Sequence, residues 1–333
     1  MTDRQGNPSA EDSLIARYFK PLATDPGAFG LLDDAAVLQA QGDDIVVTTD
    51  AIVEGVHFLP DDPPDGIARK ALRVNLSDLA AKGATPAGFV LTLALRSAED
   101  AWLAPFARGL GEDAALFGCP LLGGDTVSTP GPQMISITAF GRVPAGKMVH
   151  RRGAQPGDRI VVTGTIGDAA LGLAILKGGA VATALAADAV ARELLVGRYR
   201  VPQPRNALAQ AVRDHAGAAM DVSDGLAGDL AKLCAASGVS AVIDAASIPL
   251  SATTATLLAK RAVEIEAIVC GGDDYEILCA IPAHRWEVFE HAAGLAGVAV
   301  TSIGTVMSGV AAPRFLDGQG TEITLQRLSY SHF

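Results

Sequence analysis

Between Pro21 and Ala68 the chain carries ten Asp or Glu residues and not one Lys or Arg. Most acids in such a run belong on a solvated surface. Three sit badly for that. Asp34 is followed by Ala35-Ala36-Val37-Leu38, Asp50 ends Ile45-Val46-Val47-Thr48-Thr49, and Asp78 lies within an apolar helical pattern that includes Leu72, Val74, Leu76 and Leu79. A carboxylate at the end of a buried element is costly unless its charge is compensated. With no base nearby in sequence, a divalent cation is the simplest compensation, and hard oxygen donors suit Mg²⁺. Asp125, Asp221, Asp224, Asp273 and Asp274 occur in similar settings, at strand ends or in glycine turns. Any one alone reads as a cap or turn residue. Eight together, in a chain poor in charge, point to a multi-metal phosphoryl-transfer site where strands end.

Other motifs are weaker. Gly141-Arg142-Val143-Pro144-Ala145-Gly146-Lys147 matches seven positions of a P-loop, but Met148 stands where the Mg²⁺-binding hydroxyl belongs, so it reads as a turn between strands. Gly164-Thr165-Ile166-Gly167 before a helix reads first as a tight turn, with an anion cradle at the helix N-terminus as the weaker alternative. His150-Arg151-Arg152 is the densest basic cluster, either a solvated linker or a clamp on a nucleotide phosphate. His57 has no nearby Ser/Asp pair that would make it a hydrolase base.

The elements that must position these residues come from a chain of 333 residues, 49% hydrophobic and 19% charged. That suffices for about two domains with sizeable cores. No apolar run approaches the roughly 18 residues that span a bilayer, and the N-terminus lacks a signal-peptide core, so a cytoplasmic protein without membrane attachment is expected. A net charge of −11 argues against nucleic-acid binding. Cys119, Cys234, Cys270 and Cys279 show no metal-site spacing and read as buried thiols.

Periodicity predicts a helix over 9–18 with Ser9 as its cap, strands over 35–38 and 45–53 joined by a turn at Gly42-Asp43-Asp44, and a helix over 66–82 stopped by Gly83. A strand over 88–95 follows, then a helix over 99–117 weakened by Pro105, Gly109 and Gly111. Leu121-Leu122 makes a short strand ending in the glycine turn Gly123-Gly124-Asp125-Thr126, and 134–143 is a clear strand. After a Gly-, Pro- and base-rich boundary near 144–158 the α/β pattern restarts. Strands are expected over 159–163, 219–222, 240–243, 267–270, 276–281 and 298–303. Helices are expected over 168–176, 184–199, 207–215, 226–237 and 285–295. The expected architecture is two α/β domains, residues 1–145 and 146–333, whose strands tend to end in Asp-containing glycine turns.

Taken together these residues resemble the thiamine-monophosphate kinase family, within the superfamily of aminoimidazole ribonucleotide and selenophosphate synthetases. The resemblance runs through Ser13-Leu14-Ile15-Ala16-Arg17-Tyr18-Phe19, Asp33-Asp34-Ala35, Thr48-Thr49-Asp50 and His57-Phe58-Leu59-Pro60. It continues in Asn75-Leu76-Ser77-Asp78-Leu79-Ala80-Ala81, Gly123-Gly124-Asp125-Thr126 and Gly153-Ala154-Gln155-Pro156-Gly157-Asp158, then in Asp221-Val222-Ser223-Asp224-Gly225-Leu226, Gly271-Gly272-Asp273-Asp274-Tyr275-Glu276 and Tyr330-Ser331-His332-Phe333. It implies ATP-dependent phosphorylation of thiamine phosphate to thiamine diphosphate, the last step in making that cofactor, with several Mg²⁺ ions and no protein general base. It implies metal ligation by Asp34, Thr48, Thr49, Asp50, Asp78, Asp125, Asp221 and Asp224, ATP contacts from Gly124, Asp125, Arg151 and Ser223, and a thiamine phosphate pocket lined by His57, Asp273 and Tyr330. It also implies a mixed C-terminal sheet flanked by helices and a homodimer formed through the N-terminal sheet. The chain departs from the family at Gly30-Leu31-Leu32, often Gly-Ile-Gly, and at Asp273, often Glu. The resemblance thus implies a shorter side chain at Asp273 in the acceptor pocket.

Two alternatives would leave different marks. A selenophosphate synthetase carries a reactive N-terminal Cys or selenocysteine, whereas no Cys precedes Cys119 here. A nucleotide-binding regulatory protein would bind ATP without releasing ADP.

Overall fold

The computed structural model describes residues 13–31, 36, 38–40 and 42–329. The chain divides into two compact units, Met1–Leu79 with Thr85–Gly146, and Ala80–Ala84 with Lys147–Phe333.

The first unit holds a four-stranded sheet in the order β1-β4-β2-β3, from β1 (Asp43–Val53), β2 (Thr85–Leu95), β3 (Leu121–Ser128) and β4 (Met134–Pro144). β4 pairs antiparallel with both β1 and β2, while β2 and β3 run parallel. A parallel pair needs a crossover, which α2 (Asp100–Leu116) supplies. α1 (Pro64–Ala81) starts with proline, whose missing N–H costs nothing at a helix start, and has Asp65 in its first turn. Its Ile67, Ala68, Ala71, Leu72, Val74, Leu76 and Leu79 are all buried.

Alternation along β1 sends Val46 and Ile52 into the core and leaves Val47 57% exposed. Ile135, Ile137, Leu91 and Leu93 fill the same core. One face of this sheet is therefore covered and the other is open. The glycines that weaken α2 as a helix serve close packing. A Cβ at Gly109 would lie 2.6 Å from the Asp65 carbonyl oxygen, and one at Gly111 2.6 Å from Leu22. Between α1 and α2 the fully buried Asp113 takes a forked pair from Arg73 (2.5 and 2.9 Å) and a third bond from Arg69 (2.6 Å). Three charge-assisted bonds offset the burial of that carboxylate.

The second unit holds a six-stranded mixed sheet, β10-β7-β9-β5-β8-β6, with β5 (Arg159–Thr163), β6 (Ala218–Val222), β7 (Ser240–Asp244), β8 (Glu276–Ile281), β9 (Val300–Met307) and β10 (Arg314–Leu316). Its helices are α3 (Asp168–Leu176), α4 (Ala180–Ala184), α5 (Ala189–Arg200), α6 (Ala209–His215), α7 (Leu226–Ser237), α8 (Ala252–Ala259), α9 (Ile265–Val269) and α10 (Trp286–Leu295). On one face Ile160, Val162, Met220 and Leu278 pack with α3, α5 and α7 residues such as Leu171, Leu195 and Leu230. On the other Val161, Ala219, Ile277 and Cys279 pack with Val212 of α6 and Phe289 of α10. Burial on both faces is why β5 and β8 read as unbroken apolar runs. No described helix is long and apolar enough to cross a membrane.

Several expectations are corrected. Asp43 and Asp44 do not form a turn. They open β1, paired with Pro144 and Val143, and the turn falls at Gly42 (φ 86°). β4 is long enough to reach them, and the Asp44 carboxylate accepts the Gly146 N–H at 2.7 Å. Of the run 35–38, Ala36 and Leu38 are in no regular element, and the rest lies outside the described residues, as does the Ser9 cap. Gly123 and Gly124 lie inside β3, because a Cβ at Gly124 would sit 2.1 Å from the Leu91 carbonyl oxygen. Residues 267–270 are not a strand but belong to α9 and its C-cap, since so short an apolar run fits either period. α8, capped by the Ser251 hydroxyl on the Thr254 N–H (3.2 Å), and β10 were not foreseen.

Candidate active site

In the first unit β1 places its even-numbered side chains toward the helices, so Thr48 and Asp50 share that face. Asp78, on α1, approaches the same face. The Thr48 hydroxyl donates to the Asp78 carboxylate at 2.5 Å, joining residues 30 apart in sequence. Asp78, Asp50 and Thr48 are each partly exposed. Two carboxylates and a hydroxyl, all oxygen donors, fit part of a Mg²⁺ shell.

Thr49 points to the open face, where its hydroxyl donates to the Ile137 carbonyl (3.3 Å) and accepts from Thr138 (2.9 Å). Asp125 is on β3, in register with Thr92 and, through it, with Ser136 and Ala51. That row lies on the open face, whereas Asp50 shares its row with the buried Ile137 and Leu91. β1 and β3 are opposite edges of the sheet. Three strand spacings put Asp50 and Asp125 about 14 Å apart within one unit. Asp34 lies outside the described residues. Among the described residues no three of His, Cys, Asp and Glu are placed to hold a metal ion.

Beside β3 is a cavity of about 420 Å³, walled by Ile15, Phe19 and Leu31 on one side and by Leu122, Gly124 and Asp125 on the other. Bare glycine backbone beside apolar side chains, with one carboxylate at the rim, suits a flat heterocycle carrying a polar edge. His57 follows β1 in a tight turn, with its ring Nδ1 accepting the Val53 N–H at 3.0 Å.

In the second unit the C-terminal ends of β5 and β6 and the N-terminal end of β8 lie at one end of the sheet, since β8 is antiparallel to both. Three loops meet there. Asp221 is buried on β6 and leads into Ser223-Asp224-Gly225. The fully buried Asp229 carboxylate accepts the N–H groups of Ser223 (3.0 Å) and Asp224 (2.9 Å) and so fixes that turn. Burial raises the Asp229 carboxyl above its ordinary pKa, opposed by Lys232. Lys232 also pairs with Asp224 at 2.5 Å, so Asp224 carries a counter-charge that its sequence neighbours did not announce.

The second loop, residues 271–275, is clamped to the first. Asp273 N–H donates to the Ser223 carbonyl and Tyr275 N–H to the Val222 carbonyl, each at 2.8 Å. Asp273 (φ 73°) and Tyr275 (φ 50°) are held in the left-handed region, which costs about 1 kcal/mol or more per non-glycine residue. Gly272 is required because a Cβ there would sit 2.5 Å from the Ser223 carbonyl oxygen. The third loop is Gly164–Gly167, tied to the second by the Asp274 carboxylate, which accepts the Gly167 N–H (2.8 Å) and Ala169 N–H (3.4 Å) at the start of α3. Asp274 is 1% exposed, and burial raises its pKa well above the ordinary carboxylate range. Beside it the buried Glu276 binds Arg205 (Nε at 2.6 Å), Arg198 (2.7 Å) and the Thr163 hydroxyl (2.6 Å).

Ser223, Asp224 and Asp273 thus come together at one sheet end, with Asp221 on the strand leading there. Arg151 is exposed, on a segment whose backbone is held by the Ser237 hydroxyl. Tyr330 lies outside the described residues. Lys70, whose Nζ donates to the His57 carbonyl at 2.9 Å, was not singled out, nor were Asp229, Lys232 and Glu276, while Asp274 was expected as a metal-site acid and serves instead as a loop brace. Only Asp229 gave a local signal, as an acid in the first turn of α7.

Two α/β units of this build define a class, the AIR synthase related proteins. The N-terminal domain of that family matches residues 32–143 and the C-terminal domain residues 155–312. Within the class, the thiamine-monophosphate kinase of Caulobacter vibrioides is 45% identical over 331 residues, covering 98% of this chain and 91% of that protein. That of Escherichia coli K12 is 40% identical, covering 97% and 98%. The crystal structure of the Stenotrophomonas maltophilia enzyme superposes with a TM-score of 0.80 at 36% identity, covering 91% of this chain and 94% of that one. A ThiL structure complexed with AMPPCP and TMP superposes with a TM-score of 0.77 at 28% identity, covering 92% and 97%. The chain belongs to the thiamine-monophosphate kinase family.

Proposed function

We propose that this chain phosphorylates thiamine phosphate to thiamine diphosphate, taking the γ-phosphate of ATP by direct in-line transfer with Mg²⁺ present. The observation that carries the reading is the 45% identity to a thiamine-monophosphate kinase over 98% of the chain. The acceptor is a phosphate monoester, largely ionised at neutral pH, so its oxygen needs no strong base. The obstacle is repulsion between two polyanions. Unit charges 4 Å apart at an effective dielectric of 20 repel by about 4 kcal/mol. Bound Mg²⁺ offsets that repulsion and neutralises charge as it develops.

The oxygens of Asp34, Thr48, Thr49, Asp50, Asp78, Asp125, Asp221 and Asp224 are the ligands we assign to the metals. The Thr48 hydroxyl orients Asp78 by donating to it. Gly124, Asp125, Arg151 and Ser223 are assigned to ATP, and His57, Asp273 and Tyr330 to thiamine phosphate. The rigid 271–275 loop holds the Asp273 backbone in one conformation before substrate arrives, which saves ordering entropy on binding.

The proposed assembly is a cytoplasmic homodimer. The open face of the first sheet, with Val47 57% and Val127 45% exposed, is the surface a second copy would cover. The test is one assay: purified protein, ATP, Mg²⁺ and thiamine phosphate, watched for thiamine diphosphate and ADP. Absence of both products sinks the proposal, and a phosphorylated protein trapped during turnover sinks direct transfer. Mixing inactive Asp50→Asn and Asp125→Asn subunits restores activity if the dimer shares its site across copies.

A further inference from the structure

After β10 the chain runs as a strap over two helices of the second unit. Ile323 N–H donates to the Phe315 carbonyl of β10 at 2.8 Å, and Ile323 and Leu325 pack on the apolar core. Past Leu325 the hold passes to side chains at α9. One Glu266 oxygen accepts the N–H groups of Gln326 (2.8 Å) and Arg327 (3.1 Å). Four residues on, and so on the same side of the helix, the Cys270 thiol donates to the Arg327 carbonyl at 3.0 Å. Burial pushes that thiol up to about 11, so at neutral pH it keeps the proton it donates. Both backbone groups of Arg327 are thus engaged, although the residue is exposed. The strap then crosses the first turn of α7. A Cβ at Gly228 would sit 2.4 Å from the Ser329 Cβ and 3.0 Å from the Leu328 carbonyl oxygen, so only glycine lets strap and helix meet here.

Both helices adjoin the candidate site. α9 leads through Cys270 into the 271–275 loop, and α7 follows Ser223-Asp224-Gly225. The residue after Ser329 is Tyr330, one peptide link of about 3.8 Å further on. Whatever holds Ser329 therefore holds the attachment point of Tyr330. Two amides on one charged oxygen make a charge-assisted staple, stronger than a pair of neutral bonds.

We propose that Glu266 is a positioning residue for the acceptor, stapling the strap so that the chain beyond Ser329 starts at this end of the sheet. This rests on the assignment of Tyr330 to thiamine phosphate given above. An acceptor that needs the docked strap binds more weakly in proportion to the fraction undocked. The residues assigned to ATP are none of them on the strap, so ATP binding is indifferent to it.

The staple is read without any activity by limited trypsin digestion and mass spectrometry, since trypsin cuts after arginine and Arg327 is the pinned residue. Glu266→Met removes the acceptor, and Glu266→Gln keeps an oxygen in its place. Glu266→Met is expected to lose residues 328–333 about tenfold faster than wild type, and Glu266→Gln to stay within about twofold of it. Equal rates in Glu266→Met and wild type would overturn the staple. In kinetics Glu266→Met should raise KM for thiamine phosphate about tenfold, the worth of a hydrogen bond to a charged group, with KM for ATP unchanged and Glu266→Gln close to wild type. Gly228→Ala presses on the strap from α7 with Glu266 intact and should raise the same KM. Equal rises in both KM values, or an unchanged KM for thiamine phosphate in either Glu266→Met or Gly228→Ala, would overturn the positioning role. If the wild type forms no thiamine diphosphate, the functional reading fails and the acceptor role with it, while the digestion still decides whether Glu266 holds the strap.

Discussion

The two sheets solve different problems with the same kind of strand. In the second unit β5 and β8 are apolar on both faces, and helices cover each face. Their polar groups are pushed to one end, where Asp229, Asp274 and Glu276 brace three loops. In the first unit only one face is covered, and that face carries Thr48 and Asp50 among its apolar residues. One sheet is a platform that displays loops at its end, and the other admits polar side chains into its own inner surface. A sheet of the second kind gives up core for chemistry, so its strands alternate and its edges stay open.

The comparison can be broken at its strongest point first. Leu278→Ala removes a fully buried side chain from β8 and is expected to cost about 2–5 kcal/mol, read as a lower denaturant midpoint. A loss below 1 kcal/mol would mean the doubly covered sheet is less tightly filled than described. Asp78→Asn should lower kcat on the order of 10²–10³-fold, as removal of one charge-stabilising group does, with an unchanged circular dichroism spectrum. Unchanged turnover would remove the Thr48–Asp78 pair from the site. Lys70→Met keeps an unbranched apolar stem and strips the Nζ donor from the His57 carbonyl. It should cost about 1–3 kcal/mol and raise KM for thiamine phosphate more than KM for ATP. Equal changes in both would make Lys70 a matter of stability alone.

Asp274 sharpens the account of the other unit through pH. Its folded pKa is raised by burial. Above the unfolded carboxylate value of about 3.9 the unfolded chain loses its proton while the folded chain keeps it, so the folded state binds more protons and stability falls as pH rises. The fall amounts to about 1.4 kcal/mol per pH unit until the folded pKa is passed. Asp274→Asn lacks that titration, so its stability should decline less than wild type from pH 4 upward. Parallel pH profiles would refute the raised pKa. The smallest effect is expected at Val47→Thr on the open face. It should change the stability of the single subunit by less than about 0.5 kcal/mol and weaken self-association measured by sedimentation.

How much of this was legible followed the range of the interactions. β4 and α1 were clear because their periodicity is local, and their ends fall within two or three residues of expectation. Residues 267–270 misled because four apolar residues fit a strand or a helix, and only the Cys270 N–H bond to the Glu266 carbonyl (2.9 Å) decides for the helix. The candidate acids were visible as carboxylates in apolar settings. Their partners were not. Thr48 and Asp78 meet across 30 residues, and Glu276 finds Arg205 across 71. Nothing local marks Asp125 as lying on the far sheet edge from Asp50, since that depends on strand order.

The four cysteines are buried, and desolvation pushes the thiols of Cys119 and Cys279 up to about 12 and those of Cys234 and Cys270 to about 11. The thiolate is the reactive form, so at neutral pH the folded chain is nearly silent toward maleimides and iodoacetamide. A single cysteine installed on an exposed position, such as Val310 (85% exposed), would then take a fluorophore alone. Selective labelling of the folded chain thus needs no prior rebuilding of the protein free of its native sulfur.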